Sequence, residues 1–565
     1  MENKRRQHTF LQGAAILVFA TALVKVLGAI FRIPLANLIG ETGMGYYSTA
    51  YDLYLPIYSL SMAGFPIAIS RIVAEFAAQK RFKDVRKTLQ VAKRAFWVTG
   101  LLGFALMLLC AYPFALYTGD IKDIYSIFAI APSLLFCCML SSYMGYYEGM
   151  RNMNPTALAS VLQATARLVF GYGFAIITIK ICGNLTTSTA AFAAAAALAG
   201  VSMSCFTGFF FLFIRHKKVG DGITAEELAE SPEPMAGKEL FKKLLFISVP
   251  IVIGSLVTQV ANLVDVLMVR MQLKTLVTNH TSYIYSVFSD LIASRDLKTN
   301  EIPTALYGCY KGLAYSVYNL VPSITSVMGV SAIPVLATAW TQKDKTALRT
   351  NLETIIKTAS LIAMPAGFGM LFLANGILNV LYPQNPYGVI IATPSLQILG
   401  LTAIFAGITG PLTNILQGIG KQTVPVKNMA IGVILKIVLN YILVGIPDIN
   451  ITGAAIGTIA CYSYICIANY ICVLRYTKVK VRLFTVAVKP MICALLCGLS
   501  ALSVSILLKN SGISLRLSTL TSIVVAVIVY AILIILTRTI DKNDIISLPK
   551  GKKLLKVLEK LRVIR

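Results

Sequence analysis

The sequence predicts an all-α polytopic membrane protein with about fourteen transmembrane helices. Three observations point there. Of 565 residues, 57% are hydrophobic and only 13% charged, with a mean hydropathy of +0.74; a soluble globular chain carries roughly 25% charged residues. Apolar runs of about 20 residues, each long enough to cross about 30 Å of hydrocarbon, recur from end to end. The cations between them cluster in alternate loops, as the positive-inside rule requires of a chain threaded repeatedly through a bilayer. The formal charge of +27 is therefore loop charge at a membrane surface, and no nucleic-acid partner is expected.

The expected helices lie near 10–39, 53–78, 94–118, 124–147, 156–181, 187–214, 244–271, 304–338, 353–381, 388–417, 425–446, 452–474, 484–508 and 516–538. The first run is too long for a signal-peptide core and lacks a small-residue cleavage site, so it reads as a retained helix. Lys4, Arg5 and Arg6 precede it, and the next basic loop, "QKRFKDVRKTLQVAKR", holds seven cations. Later loops on that side include "RHKK" with "KELFKK", "TQKDKTALR" and "RYTKVKVR". The alternate loops "GETGMGYYSTAYD", "YPQNPYG" and "GIPDINIT" have neither Lys nor Arg. Both termini are expected on the cytoplasmic side of the membrane.

The expected domains are an N-terminal lobe at 1–214, an acidic-centred linker at 215–243 ("AEELAESPEP"), and a C-terminal lobe at 244–476 with a long outward loop at 272–303. Two further helices fill 477–539, and 540–565 is a basic cytoplasmic tail. In the tail, Leu554, Leu555, Leu558 and Leu561 share one helical face among lysines, a pattern suited to an anionic leaflet surface. The lobes rest on a faint repeat. "YYEGMRNMNPTALASVLQATARLVFGYGF" and "NILQGIGKQTVPVKNMAIGVILKIVLNYIL" each end a helix near glycine, cross a basic turn and restart with proline, Pro155 or Pro425. Each then places a cation inside the next helix, Arg167 or Lys436. Internal repeats with a site at their interface are common in secondary transporters.

Charged residues inside membrane helices are functional candidates by default, because each costs about 2.5–3.5 kcal/mol to insert. The set is Lys25, Arg32, Arg71, Glu75, Arg167, Asp265, Lys311 and Lys436, with Asp52 and Arg270 near expected helix ends where they can reach the interface. Lys25 and Arg32 are seven residues apart and share a helix face. Arg71 and Glu75 are spaced for a local i,i+4 pair, and Lys311 is placed to snorkel outward. Arg167 and Lys436 lie three turns deep. Cations dominate, so a water-filled cavity lined by Arg and Lys, suited to a phosphate-bearing substrate, is expected. Asp265 is expected to pair with Lys436, with Asn440 and Thr458 close by; the alternative is a monovalent cation held by the carboxylate, amide and hydroxyl.

The cysteines, eleven in all and mostly inside apolar runs, read as small buried hydrophobes rather than ligands. The three histidines fall in separate polar segments, so no zinc site is expected, and no cofactor is expected beyond a coupled monovalent ion or proton. No P-loop, zinc spacing or GxSxG is present. A membrane-bound transferase using Glu41 and Asp52 would lack a soluble sugar-handling domain.

The segments "LVKVLGAIFRIPLANLIGETGMGYY", "AGFPIAISRIVAEF", "GYYEGMRNMNPTA" and "LQGIGKQTVPVKNMAIGVILKIVLNYILVGIPDINITGAAIGT" resemble the polysaccharide transporters of the stage V sporulation protein B type. These are relatives of the MurJ-type lipid II flippases within the multidrug/oligosaccharidyl-lipid/polysaccharide exporter superfamily. The resemblance spans essentially the whole chain. It implies a MATE-like fold of two pseudo-symmetric six-helix lobes plus two C-terminal helices, a central cationic cavity, and alternating access that moves a polyprenyl-pyrophosphate-linked glycan between leaflets for peptidoglycan or spore cortex synthesis. It also implies membrane lipids and the cell-wall synthesis machinery as partners. Arg32 matches the basic residue of the family's first helix, and Lys25 stands as a conservative replacement for a second. With Asp52, Arg167 and Lys311 they form the expected substrate-binding set. Asp265, Asn440 and Thr458 lie where some relatives bind sodium, and Lys436 departs from that pattern. The family's Gram-negative members carry an arginine early in the second helix; "IYSLSMAGF" has none here. Their eighth-helix arginine aligns near Val317, with Lys311 the closest cation. Membrane potential, a proton or an ion are all open as the driving force. A drug/cation antiporter of the same fold is the competing reading, and it would need acidic rather than basic residues deep in its cavity.

Overall fold

Gly40 decides how the chain begins. It adopts φ 71°, ψ 179°, a conformation essentially restricted to glycine, and so breaks α1 (Glu2–Met62) into two helical arms. The computed structural model describes residues 2–62, 64–183, 186–537 and 539; the leucine face expected in the basic tail lies outside the described residues. By packing, the chain divides into two compact units, Met1–Gly312 and Leu313–Arg565.

In the first unit α1 is followed by α2 (Phe65–Ala78), α3 (Phe82–Thr118), α4 (Asp123–Ile130) and α5 (Pro132–Gly149). Next come α6 (Asn154–Ala166), a π-helical segment (Arg167–Gly171), α7 (Tyr172–Cys182), α8 (Thr187–Val219), α9 (Ala225–Ala229) and α10 (Gly237–Asn279). Short helices α11 (Thr281–Val287), α12 (Ser289–Arg295) and α13 (Ile302–Tyr307) lead into a second π-helical segment, Gly308–Ala314, across which the units divide. Proline starts α2, α5, α6 and α13, where its missing N–H costs nothing.

The second unit holds α14 (Tyr315–Tyr318), α15 (Leu320–Thr341), α16 (Lys345–Leu381), α17 (Pro386–Gly418), α18 (Thr423–Val444) and α19 (Thr452–Thr477). A third π-helical segment (Phe484–Val488), α20 (Lys489–Asn510) and α21 (Leu515–Leu536) complete it. Its core gathers Leu352, Phe368, Leu412, Ile415 and Val473 from α16, α17 and α19. Twelve described helical stretches are long and apolar enough to cross a membrane. Large apolar side chains stay exposed on them, such as Leu109 at 74% and Phe246 at 83%, the surface expected of a chain solvated by lipid. The chain is a multi-pass, all-helical membrane protein.

Several expectations need correction. The loop expected at 40–52 is helical and buried, with Glu41, Ser48, Thr49 and Asp52 inside; Glu41, Thr49 and Asp52 meet protein partners instead of water. The helix expected at 304–338 is divided among α13, a π-helical segment, α14 and α15, and it is not among the twelve stretches. The outward loop expected at 272–303 is largely helix, because α10 runs on to Asn279 and α11 and α12 follow. The unit boundary falls at Gly312 and not in the 215–243 segment, because α10 packs on α1, α2 and α3.

The segment between α8 and α10 is strapped onto the start of α3. α3 has no cap from its own N-cap side chain, and Ser231 supplies one, its Oγ accepting the Lys83 N–H at 3.1 Å. Asp84 Oδ1 accepts the Met235 N–H at 2.7 Å, and Arg86 grips Asp221 with two bonds of 2.8 and 3.0 Å. Burial pushes the Asp221 carboxyl up, but hydrogen bonds from Arg86, the Ile223 N–H and Tyr146 outweigh it and hold the group below its ordinary value of 3.8. A depressed carboxyl contributes stability above its ordinary value and loses it as pH falls through the depressed one. The strap should therefore stay docked from neutral pH down to about pH 4 and release below that. Arg86→Ala should release it at pH 7. Limited proteolysis across residues 226–233 checks both; cleavage unchanged by Arg86→Ala at pH 7 would contradict the anchoring role.

Candidate functional site

Lys25 and Arg32 lie on the first arm of α1, Lys25 exposed and Arg32 half-buried. Arg32 donates from Nη2 to the Lys311 carbonyl at 3.3 Å, while its buried Nε–H has no acceptor. Arg167 opens the first π-helical segment, where one extra residue per turn re-aims side chains. That segment is held by close packing: a Cβ on Gly200 of α8 would overlap the Gly171 backbone. Arg167 lies beside Tyr47 and Tyr51 of α1, and Tyr47 is also within electrostatic reach of Arg32. The Arg167 Nε–H is likewise buried without an acceptor. Among the described residues, neither Arg32 nor Arg167 takes part in an ion pair.

Lys311 differs. It is 6% exposed inside the second π-helical segment, with Nζ 3.5 Å from Asp52 Oδ1, so it does not snorkel. Asp52 is mid-helix and 4% exposed, and its Oδ2 accepts the Tyr307 hydroxyl at 2.6 Å; it does not reach an interface. The segment packs backbone to backbone on α1, since a Cβ on Gly308 would overlap the Glu41 carbonyl and one on Gly45 the Thr304 carbonyl. Gly308→Ala should cost about 1–3 kcal/mol by overpacking. Thermal unfolding in detergent checks it; a midpoint equal to wild type would contradict this packing.

Beyond Lys311 lies a layer of ion pairs around buried carboxylates that sequence reasoning missed. Arg270 is fully buried, 3.2 Å from Asp123 Oδ2, and donates to Thr49 Oγ1 at 3.1 Å. The interface position expected for it is therefore wrong: α10 extends past it to Asn279. Lys122 meets Glu301 at 2.6 Å, and Arg295 binds Glu41 through 2.8 and 3.3 Å contacts. Asp120 accepts from Tyr46 and Thr304 at 2.7 and 3.0 Å. Glu41 and Asp52, the carboxylates a transferase would use, are thus both engaged. The expected Arg71–Glu75 pair is replaced by Lys243 on Glu75 at 2.8 Å, because α10 runs beside α2.

Asp265 is 3% exposed in the first unit, within electrostatic reach of Tyr307. In the second unit Asn440 and Thr458 are both fully buried where α18 meets α19, and Lys436 lies on the same helix as Asn440, near Tyr462. Thr458 Oγ1 donates to its own helix at Ala454, 2.7 Å away.

Comparison with known proteins agrees with this architecture. The model of the polysaccharide biosynthesis protein family matches residues 10–340, and the MatE model matches residues 311–442. Stage V sporulation protein B of Bacillus subtilis (strain 168) is 24% identical over 561 residues, covering 96% of this chain and 98% of that protein. Lipid II flippase MurJ of the same organism is 24% identical over 467 residues, covering 80% of this chain and 81% of that one. A structure of lipid II flippase MurJ in an inward closed conformation superposes with a TM-score of 0.64 at 16% identity, covering 93% of this chain and 99% of its own. With more than half of its length matched by that family model, and relatives aligned along most of the rest, the chain belongs to the polysaccharide biosynthesis protein family.

Proposed function

We propose that the protein is a bacterial flippase, not an enzyme, that moves a polyprenyl-pyrophosphate-linked glycan precursor from the inner to the outer leaflet by alternating access, with lipid II as the first candidate. The observation that carries this is the pair Arg32 and Arg167: two guanidinium groups in one membrane unit, each with a buried Nε–H lacking an acceptor and, among the described residues, neither in an ion pair. A guanidinium N–H buried without an acceptor costs about 1–3 kcal/mol, and an anionic ligand that accepts from it offsets that cost. Pyrophosphate supplies planar pairs of oxygens for a guanidinium fork. It cannot cross hydrocarbon unaided, whereas a polyprenyl tail can stay in lipid throughout.

In this reading the basic loops and both termini are cytoplasmic, and Lys25 meets the headgroup at entry. Lys311, balanced by Asp52, adjusts the field without adding net charge. Outward release requires the two access states to bind the headgroup with different strength, and the ion-pair layer around Arg270, Glu301 and Arg295 must rearrange for it. Asp265 in the first unit, and separately Lys436 with Asn440 and Thr458 in the second, are candidate positions for a proton or monovalent ion. A cationic drug is disfavoured because Asp52 is already held by Lys311 and Tyr307.

Lipid II exposure on the outer leaflet, measured in bacteria whose own flippases are switched off, tests the proposal. The protein should restore exposure, and Arg32→Ala should lower it about tenfold or more. Absence of restoration with verified membrane expression would sink lipid II as the substrate.

A further inference from the structure

We infer that a row of tyrosines on the second arm of α1 is a sugar-binding track, holding the glycan while the arginines hold the pyrophosphate; this rests on the flippase reading above. Tyr47, Tyr51, Tyr54 and Tyr58 recur at helical spacing, with successive ring centroids 5.2, 5.8 and 5.4 Å apart. Tyr47 and Tyr54 are 5% exposed and serve as backing, whereas Tyr51 and Tyr58 are only half-buried. Seven residues separate these two, about 10 Å along the helix, which suits two linked pyranose rings lying end to end.

Packing alone does not account for phenols here. A leucine or phenylalanine row would fill the same space without burying hydroxyl groups, each of which costs about 1–3 kcal/mol unless well partnered. The Tyr54 hydroxyl bonds Ser133 and touches Cys137 Sγ only weakly, at 3.9 Å. The apolar C–H face of a pyranose stacks on an aromatic ring, and phenol hydroxyls bond to ring hydroxyls at its edge. Arg167 lies within electrostatic reach of Tyr47, Tyr51 and Tyr58, so a phosphate on its guanidinium would sit beside the track. Sugar and phosphate would then be read by neighbouring groups of one unit.

The test uses the full-length protein in nanodiscs and two probes: a polyprenyl pyrophosphate without sugar, and the same lipid bearing a disaccharide. Wild type should bind the sugar-bearing probe more tightly. Tyr51→Leu and Tyr58→Leu should each remove about three- to tenfold of that preference while leaving the sugar-free probe unaffected. Tyr51→Phe should keep most of it, which separates lost stacking from damaged folding. Equal loss for both probes, or unchanged preference in both leucine variants, would overturn the track and leave the arginine reading standing. Failure of wild type to bind either probe would overturn both.

Discussion

Arg270→Ala is expected to destabilise the protein by about 3–5 kcal/mol, because it strands the Asp123 carboxylate in a buried site. Both side chains are fully buried, so water cannot replace the lost partner. Arg270 also ties α10 to Thr49 of α1 and to the Thr118 carbonyl at the end of α3, so three helices lose a common anchor. The double change Arg270→Met with Asp123→Leu should recover much of the loss, since it removes both charges and leaves a packed apolar contact. Thermal unfolding of the detergent-purified protein measures each variant. A single variant as stable as wild type would mean the pair is not closed in the native state.

Arg32→Met and Arg167→Met should do the opposite to stability and more to activity. Each removes a guanidinium whose Nε–H is buried without an acceptor, so unfolding temperature should hold or rise, as it does when a strained functional site is relieved. Transport should fall about tenfold to a hundredfold for each, the worth of a charge-assisted hydrogen bond or two. Lysine at either position should restore only part, because an ammonium keeps the charge but not the planar fork. Loss of stability together with transport would reassign these arginines to a structural role.

Helix existence was readable from apolar run length, Arg167 as a cation three turns deep, and Arg32 as a cation sharing a helix face with Lys25. The segment "ETGMGYYSTAYD" shows where such reading stops. Glycine, threonine and acidic residues signal a loop by composition, yet Glu41 is neutralised by Arg295 and Asp52 by Lys311 and Tyr307. Those partners lie more than 250 positions away in the chain, and no local pattern announces them. Arg270 with Asp123 and Lys122 with Glu301 are also distant in the chain, 147 and 179 positions apart. The π-helical segments at Arg167 and Lys311 left no periodicity signal, although Gly171, Gly308 and Gly312 mark where backbones approach closely. The tyrosine spacing was legible in "YYSTAYDLYLPIY", but only once that stretch is known to be helix.

The most direct measurement is translocation of a fluorescent polyprenyl-pyrophosphate-linked sugar in proteoliposomes containing the purified protein. The account predicts that wild type moves the lipid between leaflets, that Arg32→Met with Arg167→Met stops it while the fold stays intact, and that an uncharged lipid-linked sugar is not moved. Equal movement of the charged and uncharged lipids, or full activity in the doubly substituted protein, would contradict an anion-binding site built on these two arginines.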